Sequence, residues 1–475
     1  MVFSSPLFLF LFLPLVLAGY SLAGRNLRNA VLLIASLSFY IWGEPGYFWI
    51  LLASIGGNYF FGLSIEKRIL TGKNPRKALA GGVIANLALL IAYKYANLLV
   101  DSLNYFGVLA GLGPFLALNP VHLPIGISFF TFQAVSYLID VYRKECPAQK
   151  KLSDLALYIS MFPQLIAGPI VRYNHIAEQL VERSFTIDYW SLGIRRFIIG
   201  LGKKVLIANA VGLTADQIFA LPGSQISPGL AWLGAVCYGL QIFYDFSGYS
   251  DMAIGLGLLF GFHFPENFNY PYLARSIREF WRRWHMTLSN WFRDYLFIPL
   301  GGSRTSNINI YRNLIVVFGL CGIWHGASWN FLVWGLYHGL FQVFERLGLD
   351  RILARSPRVV GHVYALAVVT VGWAFFRLES FPEALSYIRA MFSLHWGETN
   401  FYTVPMFLNR EVGLALILGV LGCAPLLPGL TAWLNRKIGG TPAFVLSAAA
   451  LFGVFFLSTL YLAATTYNPF IYFRF

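Results

Sequence analysis

Between Pro6 and Ala23 no residue carries a charge, and apolar runs of this kind recur down almost the whole chain. They fall at about 29–43, 47–65, 78–97, 123–141, 154–170, 229–262, 313–344, 359–376, 412–430 and 443–465. A helical crossing of a bilayer needs roughly 20 consecutive apolar residues. Within lipid every backbone polar group must be satisfied internally, which leaves helices or closed barrels. Runs of this length specify helices. The pattern therefore predicts an all-α, polytopic integral membrane protein with roughly ten to twelve membrane-embedded helices, including re-entrant or interfacial ones, around a central cavity. The first run is expected to be a retained span, because Met1–Ser5 has no positive charge and no small-residue cleavage site precedes Arg25.

Composition agrees with this reading. Hydrophobic residues make up 57% of the 475 and charged residues only 12%, against about 25% charged in soluble domains. So little charge cannot cover a water-facing surface, and membrane lipid is the expected surrounding. The formal net charge of +14 could suggest nucleic acid, but Lys and Arg sit in short gaps between the runs, where the positive-inside rule places them. No nucleic-acid partner is expected. Three basic clusters precede residue 152: Arg25 with Arg28; Lys67, Arg68, Lys73, Arg76 and Lys77; and Arg143, Lys144, Lys150 and Lys151. Placing all three in the cytoplasm puts the N-terminus outside and lays 104–118 along the interface. No repeat, low-complexity tract or soluble segment divides the chain, so residues 1–475 are read as one membrane-embedded domain.

Cys146, Cys237, Cys321 and Cys423 are isolated, which fits neither a disulfide framework nor a zinc site and suits small buried hydrophobes. Walker-type, His-Glu-x-x-His and Gly-x-Ser-x-Gly patterns are missing, which argues against an ATP-driven pump, a zinc protease or a serine hydrolase.

Two stretches depart from ordinary spans. Residues 263–312 mix seven arginines with Phe280, Trp281, Trp284, Trp291, Phe292, Tyr295 and Phe297, the composition of a helix at headgroup level. With no Gly or Pro from Ser276 to Tyr295, one helix is predicted there. Residues 313–344 hold no charge but are interrupted by Gly319, Gly322, Gly326, Ser328 and Asn330, with basic flanks on both sides. Both ends on one side imply a hairpin or re-entrant pair, bent near Trp324-His325-Gly326-Ala327. The 34 residues of 229–262 are likewise too many for one straight crossing. Pro124-Ile125-Gly126-Ile127-Ser128 and Pro163-Gln164 with Ala167-Gly168-Pro169 read as helix breaks.

His325 is the leading reactive candidate. An ionisable group in an uncharged apolar run is costly and marks function, low dielectric keeps its imidazole neutral, and a neutral imidazole is what a general base must be. A structural histidine bridging two helices is the alternative. His285 is second: on one continuous helix, Trp281, His285, Leu288 and Phe292 share a face, Ser289 follows one turn later, and Asn290 offers a directional amide. An interface anchor is the rival role. Asp245 and Asp251, set in an apolar stretch, are expected to be structural, paired with nearby arginines. His338 is a weaker third candidate. His122, His175, His263, His362 and His395 show no partnered spacing.

Glu279-Phe280-Trp281-Arg282-Arg283-Trp284-His285, continuing through Leu288-Ser289 and Trp291-Phe292-Arg293-Asp294-Tyr295, resembles a signature of the membrane-bound O-acyltransferases. Gly322-Ile323-Trp324-His325-Gly326-Ala327 resembles that family's active-site Trp-His-Gly. The likeness is to the bacterial branch of alginate O-acetylation proteins and D-alanyl-lipoteichoic acid transferases, and it extends to about residue 345. It implies His325 and His285 as catalytic residues. Trp281, Ser289, Asn290 and Trp324 are then the expected substrate contacts. It also implies acetyl-CoA or another acyl thioester as donor with no bound cofactor. The implied partners are a periplasmic acetyltransferase completing a relay and a polysaccharide synthesis and export complex. D-alanyl transfer, acetylation of another envelope polymer, a glycan or lipid transporter and a scaffold are the competing readings. A transporter should show paired interrupted segments in its two halves, which this chain lacks.

Overall fold

A computed structural model describes residues 2–393 and 401–471. His395 lies outside them. The chain is an all-α, polytopic membrane protein; among the described residues no strand occurs. Among the described residues six helices are long and apolar enough to cross a membrane: Pro45–Leu70, Arg76–Leu109, Ile187–Phe219, Asn307–His325, Arg358–Arg377 and Gly440–Ala464. Its residues group into two compact units, one of Met1–Gly193 with Ala253–Pro265, the other of Ile194–Met252 with Glu266–Phe475.

In the first unit, the Ile127–Arg143 helix is buried along nearly its whole length. Gly126 starts it at φ +76°, and a Cβ there would stand 2.6 Å from the Leu165 carbonyl oxygen. The two breaks expected from Pro and Gly thus meet each other. Phe3, Phe8, Phe12, Phe39 and Phe162 pack ring against ring, bringing the Phe8–Leu22 apolar helix onto Arg28–Gly43. Asn58 and Asn86, both buried, exchange amide hydrogen bonds of 3.1 and 2.7 Å, the kind of polar pairing that fixes helices together in lipid. The expected span 154–170 is instead Leu152–Ser160, Phe162–Leu165 and irregular chain. Residues 104–109 complete the Arg76–Leu109 helix rather than starting a separate segment. The three basic clusters come together: Lys150 pairs with Glu66, Ala148 N–H donates to Glu66 Oε1 at 3.0 Å, and Arg25, Arg28 and Lys151 share one cleft.

In the second unit, Ile187–Phe219 is a long helix absent from the expected spans; it is apolar enough to cross a membrane although it carries Arg195, Arg196, Lys203 and Lys204. Partners neutralise most of that charge. Lys204 Nζ lies 2.7 Å from Asp245 Oδ1, Lys203 Nζ 2.6 Å from Asp251 Oδ2, and Arg196 joins Asp251 to Glu266. Asp245 and Asp251 are therefore paired as expected, chiefly by lysines of this helix. Pro228–Leu259 is a single helix of 32 residues. The run 412–430 breaks into Arg410–Gly422 and Leu426–Ile438. The segment after Ala464 packs inward: Pro469 O accepts from Lys204 Nζ, Ile471 N–H donates to Asp245 Oδ2 at 2.9 Å, and the Tyr467 hydroxyl donates to Asp216 at 2.7 Å.

The 313–344 run forms the expected hairpin. Asn307–His325 and Trp329–Phe344 turn back on each other through Gly326–Ser328. Glycine sets their separation: a Cβ on Gly322 would stand 3.0 Å from Gly335 Cα, and one on Gly335 2.9 Å from Gly322 Cα.

Candidate active site

The segment expected as one helix from Ser276 to Tyr295 is two. Ile277–Arg283 ends at Trp284, and Met286–Phe292 starts after His285, whose φ of +44° and ψ of +53° are left-handed. Such a conformation costs a non-glycine residue about 1–3 kcal/mol and persists only where surroundings impose it. Asn267 imposes it here. Its carbonyl accepts from Met286 N–H at 2.9 Å, and its Oδ1 accepts from Thr287 N–H at 3.3 Å and Thr287 Oγ1 at 2.9 Å. The supposed shared face of Trp281, His285, Leu288 and Phe292 does not exist.

The same Oδ1 lies 3.0 Å from His285 Nδ1. A backbone N–H can only donate, so Thr287 identifies that atom as the oxygen, and His285 Nδ1 must carry the proton. The neutral ring then presents Nε2 as a lone pair. Among the described residues Nε2 has no hydrogen-bond partner, and His285 is fully buried.

His325, at the end of the first hairpin helix, is 2% exposed. Its ring stands 6.5 Å from that of His285, centroid to centroid. Trp324 lies 5.0 Å from His325 and 6.1 Å from His285. Trp334 and Phe376 close on His325 edge to face at 5.0 and 5.4 Å, and Phe246 on His285 at 4.7 Å. Two motifs forty residues apart in sequence thus place two imidazoles and one indole side by side in an aromatic enclosure.

A cavity of about 600 Å³ is lined by Trp281, Ser289 and Asn290, together with Arg278, Arg282, Arg293 and Cys321. His285, Trp324 and His325 are not among its walls. Cys321 stands one turn before His325 on the same helix, and Trp281 packs against Trp334 at 5.6 Å, which packs against His325. Guanidiniums and an apolar interior suit an elongated anionic ligand with an apolar arm. Ser276 Oγ accepts from Glu279 N–H at 3.0 Å, and Glu345 accepts from Ile277 and Arg278 N–H at 2.5 and 3.0 Å. That double cap fixes the first turn carrying Arg278 and aims Trp281.

Sequence reasoning missed Asn267, Trp334 and Phe376. None stands at a telling spacing from the histidines; Asn267 lies in the Phe260–Ser276 connection, and only folding brings it there. His338 is fully buried between Trp281 and Trp334, at 5.2 and 5.1 Å. All four cysteines are buried free thiols.

Residues 125–375, which include both histidines, match the family model described as MBOAT, membrane-bound O-acyltransferase family. The chain is 42% identical, over the whole of both chains, to a Pseudomonas putida protein named "Probable alginate O-acetylase AlgI". It is 36% identical to a Helicobacter pylori "Peptidoglycan O-acetyltransferase" over 83% of this chain and 80% of that one. A Bacillus subtilis "Teichoic acid D-alanyltransferase" is 31% identical over 50% of this chain and 65% of that protein.

Proposed function

The chain belongs to the membrane-bound O-acyltransferase family, and on that premise we propose that it O-acetylates an exported polysaccharide of the alginate type. The enzyme works in the bacterial inner membrane with its N-terminus in the periplasm. It takes its acetyl group from acetyl-CoA or another thioester on the cytoplasmic side. The observation that carries this reading is the pair of buried imidazoles, 6.5 Å apart, behind a cavity rimmed by Arg278, Arg282 and Arg293. The guanidiniums suit the phosphates of a thioester carrier, and the apolar walls suit its arm.

In the reaction the neutral His325 ring takes the proton of an acceptor hydroxyl as its oxygen attacks the thioester carbonyl. The tetrahedral intermediate collapses with cleavage of the C–S bond, and the imidazolium returns its proton to the departing thiolate. Base catalysis of this type contributes on the order of 10²–10⁴ in rate. His285, held as its Nδ1–H tautomer by Asn267, offers Nε2 to receive a donor hydrogen of the acceptor and orient it. The Asn290 amide and the Trp281 indole N–H, which has no partner among the described residues, are donors for the developing oxyanion. Ser289 and Trp324 complete the substrate contacts. A periplasmic acetyltransferase then finishes the relay beside the polysaccharide export machinery.

Supplying labelled acetyl-CoA to membranes and analysing esters on the exported polymer tests the reading. His325→Ala should abolish label in the polysaccharide while the protein stays in the membrane at its normal amount. Undiminished acetylation in that variant would overturn the assignment, and esters of D-alanine in place of acetate would overturn the donor.

A further inference from the structure

The three basic clusters that bracket the early spans converge, and part of them forms a second cavity far in sequence from the histidines. This cleft, of about 1080 Å³, is lined by Arg25, Arg28, Lys151 and Arg183 against Asp154 and Glu182. Two helices begin at its wall, Arg28–Gly43 and Leu152–Ser160, and neither has a side-chain cap on its first N–H groups. Uncapped N-termini carry partial positive charge and free donors, so they add to the field of the four cations.

Two of the arginines are held by rings. The Arg28 guanidinium lies 5.2 Å from the centroids of both Tyr20 and Phe185, and its buried Nε has no hydrogen-bond partner among the described residues. Arg183 stacks over Phe262 at 4.3 Å and donates to the Tyr20 hydroxyl and the Gln179 carbonyl. Aromatic faces and neutral oxygens fix the planes of both guanidiniums and leave them their charge. Asp154 accepts from Asn29 Nδ2, also of this cleft, at 3.2 Å, and among the described residues neither it nor Glu182 forms an ion pair with Arg28 or Arg183. A volume this large, with four cations against two carboxylates and with directed guanidiniums, fits a phosphate with substituents, and arginine forks match phosphate oxygens in pairs.

We propose that this cleft binds a phosphate group, and that its source is the headgroup of an anionic phospholipid. Basic residues at the ends of spans meet such headgroups at the membrane surface, and an anion bridging Arg28, Lys151 and Arg183 would tie the start of the second helix to the segment after Ile127–Arg143. The site is separate from the acyl-transfer residues and its occupancy does not depend on their chemistry.

Native mass spectrometry of the full chain, released from nanodiscs of phosphatidylcholine with phosphatidylglycerol, tests the proposal. The wild type should retain phosphatidylglycerol, and the Arg28→Gln/Arg183→Gln variant should lose about tenfold or more of that retention. Arg76→Gln/Lys77→Gln, on an exposed helix start, serves as the control and should retain it fully. Should the first pair of changes prevent folding, Arg25→Gln/Lys151→Gln on the exposed rim gives the same comparison. A parallel arm uses inorganic phosphate with lipid-free protein: protection against heat by phosphate in the wild type alone, without lipid retention, keeps the phosphate site and moves its source to solution. Equal retention by wild type and variants, with no effect of phosphate, overturns the proposal. Acetylation in the variants serves as a check that the second unit is intact.

Discussion

His285 and Asn267 meet through Nδ1 and Oδ1 at 3.0 Å, and that same oxygen also takes both donors of Thr287. One carboxamide therefore selects the tautomer of the histidine and holds the chain in the left-handed turn beneath it. Asn267→Ala is expected to lower acetyl transfer about 10–100-fold, or roughly 1.4–2.7 kcal/mol of transition-state stabilisation, mostly in kcat. Asn267→Asp keeps an acceptor and should recover part of the loss. Steady-state kinetics in detergent or nanodiscs checks this, and equal activity in Asn267→Ala and wild type would count against the role.

Gly322 and Gly335 let the two hairpin helices touch backbone to backbone beside His325. Gly335→Ala inserts a methyl group where a carbon of the facing helix already stands. Overpacking of this sort costs about 1–3 kcal/mol. Thermal melting should drop by several degrees, and activity should fall further than folding does, because His325 lies one turn beyond Gly322. A melt unchanged within error would refute the close approach.

Lys204 and Asp245, 3% and 1% exposed, pair at 2.7 Å in the second unit. Removing one partner alone leaves a buried charge, at a cost of about 3–5 kcal/mol. Lys204→Met and Asp245→Leu should each reduce the amount of folded protein sharply. The double variant should regain part of it, the Ile471 N–H and Pro469 carbonyl still lacking their partners, which fluorescence-detected size exclusion reads directly.

Glu345 receives the N–H groups of Ile277 and Arg278 and the Tyr364 hydroxyl. Glu345→Ala strips the cap from the helix that carries Trp281 and should destabilise it by about 1–2 kcal/mol. Because that helix walls the cavity, KM for the thioester donor should rise along with the loss of stability. Glu345→Gln, which keeps one acceptor oxygen, should be milder on both counts.

Charge-free run length and glycine interruption made the membrane class, most spans and the 313–344 hairpin legible, since these follow from local physics. The Ile187–Phe219 helix was not among the expected spans, although its hydropathy alone reaches that of a crossing. What hydropathy could not show is that Lys203, Lys204 and Arg196 would be met by Asp245, Asp251 and Glu266. The break at His285 was equally invisible, because nothing between Ser276 and Tyr295 breaks a helix by propensity. A tertiary partner, Asn267, outweighed it. His325 and His285 stood out as ionisable groups in apolar or aromatic surroundings, but their adjacency was not visible, and neither were the rings of Trp334 and Phe376 that enclose His325. Sequence spacing carries no information on which loop returns to which helix.

Residues 467–471 reach a charge pair whose members were synthesised more than two hundred positions earlier. Until that stretch emerges from the ribosome, Asp245 lacks the Ile471 amide and Lys204 lacks the Pro469 carbonyl, while the helices around them are already in the translocon's hands. The second unit must wait in an incompletely satisfied state during biogenesis. A nascent chain stalled before residue 467 would leave this buried pair short of two hydrogen-bond partners.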